Sequence, residues 1–135
     1  MRFVIVTMAI LLVSGAFARD RNWSDAASTD EFGYAIDWST LKGTAGVRRV
    51  WMLRDRTIAS DQGSWSSIFL LEVDCAEDRV RPLSAFDYSG RDGSGKVVRS
   101  YPEPGPWLYV VPGSVNAHLQ KLVGKRFRNQ FSLCK

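Results

Sequence analysis

The 135-residue chain carries 18 basic and 14 acidic side chains, a formal net charge of +4, and is 45% hydrophobic and 12% aromatic. That length accommodates one domain around one modest core and excludes a multidomain architecture. The mild positive charge permits weak attraction to polyanions without calling for nucleic acid.

Residues 1–18, MRFVIVTMAILLVSGAFA, have the anatomy of a secretory leader: a basic Arg2, an apolar run from Phe3 to Val13, and the small-residue pattern Ala16-Phe17-Ala18, with cleavage expected after Ala18. The apolar run falls well short of the ~20 residues a spanning helix needs, so the mature chain is expected to contain no transmembrane segment. No cysteine follows Gly15 to receive a lipid. The expected domain is residues 19–135, exported to the periplasm, the cell surface or the extracellular space, and loss of Arg2 lowers its net charge to +3. Its two cysteines, Cys75 and Cys134, allow a single pairing. In an oxidising compartment a structural disulfide is the expected outcome. Closing so long a loop would restrict the unfolded chain by roughly 4 kcal/mol. With neither CxxC spacing nor a neighbouring histidine, a redox or metal role for the pair is disfavoured.

In chain order, a short segment around Trp23 precedes a strand over Tyr34 to Trp38. VRRVWMLRD, Val47 to Asp55, reads as a strand apolar on both faces, hence interior to a sheet. RTIASDQGSW is a connection, after which IFLLEVDC puts Phe69, Leu71, Val73 and Cys75 on one face and Ile68, Leu70, Glu72 and Asp74 on the other. RVRPLSAFDY, Arg79 to Tyr88, is the next strand, where Pro82 removes a backbone donor and favours an edge or a bulge. GKVVRSY is its hairpin partner and WLYVV a final strand or arm. PGSVNAHLQKLVGKRF then carries Val115, Leu119, Leu122 and Val123 on one helical stripe, with Ser114 as N-cap and Gly124 either ending or weakening the helix. The fold class is therefore α+β: a small antiparallel β meander with one C-terminal helix packed on it.

Few motifs carry chemistry. Gly90, Gly95 and Lys96 match the G-x-x-x-x-G-K spacing of a phosphate loop, but Val97 stands where a metal-binding hydroxyl is needed. The residues that follow are strand-like, so the stretch reads as a hairpin turn with positive φ at Gly90, Gly93 and Gly95. His118, the one histidine, falls off the apolar stripe, and no G-x-S-x-G elbow occurs. Asp74, Glu77 and Asp78 lack the alternating oxygen ligands of a calcium loop and read as a solvated turn. No cofactor, metal or catalytic residue is called for. Most of the five tryptophans read as packing residues. Trp65, in a polar stretch after Gly63, is the candidate for an exposed contact. Lys121, Lys125, Arg126, Arg128 and Lys135 cluster in and after the helix, either complementing its dipole or forming a polyanion-facing patch.

Taken together, YAIDWSTL, GVRRVWMLRD, LLEVDCAEDRVRPLSAFDYSGRDGSGKVVRS and WLYVVPGSVNAHLQKLV resemble the surface-adhesin protein E family of secreted bacterial domains, over roughly Trp23 to Val123. The resemblance implies a small antiparallel sheet with a C-terminal helix, a disulfide tying the helix region to the sheet, and adhesin-type binding to host proteins. The chain departs from that pattern in placing its second cysteine well beyond the helix, after GKRFRNQFSL. The expectation is a non-catalytic binding domain contacting a host-matrix protein or a polyanion through Trp65, Lys121, Lys125, Arg126 and Arg128. The alternative is a structural cell-envelope protein. An exposed sheet edge would also permit a homodimer.

Overall fold

The computed structural model describes residues 21–44 and 46–126; the leader, Arg128 and Cys134 lie outside them. Among the described residues, seven strands form one antiparallel sheet: β1 (Trp23–Ser28), β2 (Phe32–Gly43), β3 (Val47–Arg56), β4 (Ser66–Asp74), β5 (Arg79–Tyr88), β6 (Val97–Tyr101) and β7 (Leu108–Tyr109). They lie in the order β1-β2-β3-β4-β5-β6, with β7 also pairing to β5. The helix α1 (Val115–Lys125) follows. Among the described residues no helix is long and apolar enough to cross a membrane.

The α+β meander read from the sequence is the one observed. β4 presents Leu71, Val73 and Cys75 to the helix-bearing face, where they pack with Ile36, Val50, Met52 and Val80 against Leu119 and Val123 of α1. Arg48 is fully buried in the same layer and donates from Nη1 to the Cys75 sulfur at 3.9 Å. Ser114 caps α1 as expected, its hydroxyl accepting from Ala117 N at 3.2 Å. Gly113 before it takes φ +80°, which turns the chain into the helix. Gly124 does not end α1; it is a buried position inside it, and Arg126 is the C-cap.

β2 is longer than its five-residue apolar core because the chain bends within it without leaving the sheet. Register with β3 shifts between Asp37 and Lys42. Side chains bridge the gap: Asp37 accepts from Ser39 N at 3.1 Å, and Thr40 accepts from Trp51 N at 3.0 Å while donating to the Asp37 carbonyl at 2.7 Å. Local hydroxyl and carboxylate bonds thus stand in for ladder bonds at a bulge. Pro82 belongs to an interior strand, and its missing donor is accommodated by a register shift at Leu70/Leu71. β7 is only two residues long, so the expected WLYVV strand is mostly an arm.

On the face away from α1, Glu72 is 2% exposed yet charged-residue contacts satisfy it on both sides. Arg49 Nε donates to it at 2.7 Å from β3, and Arg81 donates Nε at 2.9 Å and Nη2 at 2.8 Å from β5. Asp74, 6% exposed, takes Arg79 Nε at 3.0 Å. The expected solvated acidic turn is therefore partly a buried ion pair. Asp78 also joins separate elements: its carbonyl accepts from Val110 N at 2.8 Å and its carboxylate from Gln120 at 3.3 Å.

Because Glu72 is buried between two guanidinium groups, Glu72→Ala is expected to lower unfolding free energy by about 3 kcal/mol. Arg49, whose side chain is 57% exposed, should tolerate Arg49→Ala with a loss of about 1 kcal/mol or less. Urea denaturation of the two variants checks the asymmetry.

Candidate functional site

The glycine-rich stretch is a structural turn. Ser89 N bonds Lys96 O at 2.9 Å, Gly90 N bonds Ser94 O at 3.0 Å, and β6 follows directly with no helix. Gly93 and Gly95 take φ +71° and +79°, as expected. Gly90 does not; it is needed because a Cβ there would collide with Ser94. The turn folds back over the sheet end: Gly93 lies against Ile68 and donates to Ser66 Oγ at 2.9 Å, while Asp92 N donates to Asp55 Oδ1 at 2.9 Å. Burial first, and the neighbouring Asp92 second, push the Asp55 carboxyl above its ordinary range, with the Asp92 amide and Arg91 opposing.

Trp65 is half-buried where this turn meets the sheet. Its backbone bonds both Arg56 and Tyr88 at 2.9 Å, and the Arg91 guanidinium covers its ring at 4.7 Å. The other four tryptophans are covered likewise. Arg21 lies 5.8 Å from Trp23 and 5.3 Å from Trp51, Arg126 lies 4.7 Å from Trp38, and Arg79 and Arg81 lie 4.4 and 4.2 Å from Trp107. Lys121 and Lys125 are exposed and one turn apart on α1. His118 is exposed, its Nε2 3.0 Å from the Ala26 carbonyl of β1. The structure does not bring Trp65 and the basic helix residues together: they sit at the sheet end and on α1 respectively.

What it does assemble is a groove that the sequence did not single out. Strand register aligns Tyr34, Arg54, Ser67, Asp87 and Arg99 in one row across β2 to β6. The adjacent row on the same face is apolar: Ile36, Met52, Phe69, Ala85 and Tyr101. Asn116 and Leu119 of α1 and Leu108 of β7 form the opposite wall, leaving a groove of about 420 Å³. Ser67 donates to Asp87 Oδ1 at 2.6 Å, Tyr101 OH donates to Asp87 Oδ2 at 3.4 Å, and Arg54 Nη2 reaches Ser67 Oγ at 3.4 Å. Arg54 lies 5.0 Å from the Phe32 ring and 6.0 Å from Phe69, and Arg56 lies 5.3 Å from Phe32. Among the described residues neither Arg54 nor Arg56 has an ion-pair partner, and the Nε of each is buried without a hydrogen bond. Period-two alternation in MLRDR could have placed both arginines on one face; their neighbours from four other strands could not be read that way. No cluster of metal-ligating side chains occurs among the described residues.

The sheet edge formed by β6 and β7 borders the groove, and Tyr101 and Leu108 belong to both. Val97, Val98, Tyr101, Leu108 and Tyr109 of these strands are 49, 42, 41, 49 and 71% exposed, and Val111 just after β7 is 65% exposed.

A family model described as surface-adhesin protein E matches residues 23–123. The chain belongs to the surface-adhesin protein E family. A solved relative is similar in fold: protein E from non-typeable Haemophilus influenzae, with a TM-score of 0.52 at 12% identity over 78% of this chain and 80% of that one. No curated protein matches the sequence. The family motifs quoted from the sequence correspond to physical devices of this fold. DWST builds the β2 bulge, VDC delivers Cys75 to the core, GSGK turns the β5–β6 hairpin, and PGS enters and caps α1.

Since the folded state raises the Asp55 pKa, ionising this carboxyl opposes folding, and the penalty is complete above the folded pKa. Asp55→Asn, which keeps an oxygen for the Asp92 amide, is expected to melt higher than the parent at neutral pH. The gain should shrink as pH falls into the ordinary carboxylate range. Melting temperatures across a pH series read this directly.

Proposed function

We propose that this domain is a non-catalytic, exported binding module of adhesin type that contacts a host-matrix protein or a polyanion. Family membership supports the adhesin character. The observation that carries the binding reading is the β6–β7 edge and the residue just after it, where Val97, Val98, Tyr101, Leu108, Tyr109 and Val111 are 41 to 71% exposed. An apolar rim of this kind beside unpaired strand groups marks a protein-interaction surface. Lys121, Lys125 and Arg126 on the helix, with Arg128 beyond it and Trp65 at the sheet end, are the proposed accessory contacts. Long-range attraction by such cations raises encounter rates more than final affinity. The same edge is suited to pairing with a second copy of the chain.

The leader at residues 1–18 and the Cys75–Cys134 bridge belong to this reading as proposals. Cys75 is 3% exposed on the helix-bearing face, a position from which a bridge would fasten the C-terminal segment over the sheet. Peptide mapping without reduction should recover Cys75 joined to Cys134, and Cys134→Ser should cost roughly 4 kcal/mol of stability. Two free thiols in protein taken from its native location would remove the bridge.

Binding to immobilised matrix proteins and to heparin at physiological salt tests the function itself. Tyr109→Ser combined with Val111→Ser should weaken retention by about tenfold without lowering the melting temperature, since both side chains are exposed. Ile58→Ser, 80% exposed on a different loop, should change nothing. No retention on any matrix protein or on heparin would overturn the adhesin reading. Crosslinking in intact cells to an envelope component would then favour the structural alternative.

A further inference from the structure

We infer that the groove between α1 and the Tyr34–Arg54–Ser67–Asp87 row is a docking site for an extended acidic peptide segment of a protein partner. The inference rests on the binding-module reading and assigns it a ligand chemistry and a place.

Charge comes first. Arg54 and Arg56 stand two residues apart on β3 with their guanidinium groups laid against Phe32, and no acidic side chain pairs with either among the described residues. Elsewhere, Arg49, Arg79 and Arg81 each have a buried carboxylate at 2.7 to 3.0 Å. A half-buried guanidinium held over a ring is already restricted, so it loses little entropy when its terminal amino groups meet a carboxylate. The two arginines therefore present a preorganised fork for glutamate or aspartate side chains.

Shape and polarity then separate a peptide from a polysulfated chain. The groove floor is apolar, with Phe69, Leu71 and Val80 beneath and Leu108 and Leu119 at the side, and it suits a hydrophobic side chain next to the carboxylate. Asp87 stands on the same floor and would repel a densely sulfated polymer. For a peptide it offers an acceptor to a backbone N–H, leaving Asn116 on the far wall for the peptide carbonyls. The volume of about 420 Å³ holds one or two side chains, so the contact is a specific pocket within a larger interface.

The test uses the full secreted chain and a short acetylated, amidated peptide in which glutamates flank one phenylalanine. A control peptide carries lysine in place of glutamate. Fluorescence anisotropy should show binding of the acidic peptide alone, weakened about tenfold or more by Arg54→Gln with Arg56→Gln. Arg54→Lys, which keeps the charge and loses the fork, should fall between. Amide chemical shifts of Ala85, Tyr101 and Asn116 should move on titration, a readout independent of any variant's stability. Failure of the acidic peptide to bind, equal binding by the double variant, or shifts confined to residues outside the groove would overturn the inference. Heparin binding that is lost in the double variant while the peptide is ignored would overturn it in favour of a polyanion. Matrix-protein binding by the parent chain with no binding of the acidic peptide would sink the groove and leave the adhesin reading standing. Peptide binding in the groove without any matrix binding would do the reverse.

Discussion

Among the described residues the eleven-residue α1 covers only part of the seven-stranded sheet, and over much of the rest the recurring contact is an arginine guanidinium over an aromatic ring. Every tryptophan in the chain has one over its face, at 4.2 to 5.8 Å. The aliphatic stem and planar head of arginine both shield apolar ring surface, so these residues add cover where α1 does not reach. Lysine, with a compact and strongly hydrated charge, would not lie flat on a ring in this way. Much of the chain's basic character is explained by this structural use.

The same constraint divides the surface by function. Where α1 lies on the sheet, Ile36, Val50, Met52 and Val73 are fully buried and the fold is stabilised. Away from α1, a smaller apolar cluster of Ala35, Leu53 and Ile68 is covered by Trp23, Trp51 and Tyr88 and by the glycine turn, and guanidinium groups lie over the Trp51 and Trp65 rings. On the face away from the helix, the Arg49, Arg79 and Arg81 guanidinium groups are neutralised by Glu72 and Asp74. On the helix-bearing face, Arg54 and Arg56 are not, so charge that is compensated elsewhere becomes available for recognition. The open β6–β7 edge adds apolar area beside it. Binding capacity arises here from incomplete coverage.

Legibility from the sequence followed the range of the interaction involved. Arg79 to Tyr88 reads as a strand from composition alone and is one, residue for residue. Ser114 as a cap and Val115, Leu119, Leu122 and Val123 as the apolar stripe follow from local helical spacings, and of the stripe Leu119 and Val123 are buried while Val115 and Leu122 are half-buried. The phosphate-loop reading fails on Val97 and on a strand-forming sequence, and the turn observed bears that out. Gly90 was misjudged because its requirement is the approach of Ser94 across the turn, which φ preferences do not report. Asp74 was read as solvated because Arg79, its partner, reaches it only across the paired strands.

By itself, the sequence determined the central strands, the β5–β6 hairpin, the capped helix and the family, since period-two and period-3.6 patterning, turn residues and caps are local properties, whereas the extents of β2 and β7 were not local. Only the tertiary structure decided which arginines are paired and which are not. That depends on lateral neighbours, and in a sheet these are fixed by register across strands far apart in the chain. Tyr34, Arg54, Ser67, Asp87 and Arg99 form one row because β2 to β6 align as they do. A slip of one residue in any of them would send that side chain to the opposite face and dissolve the groove.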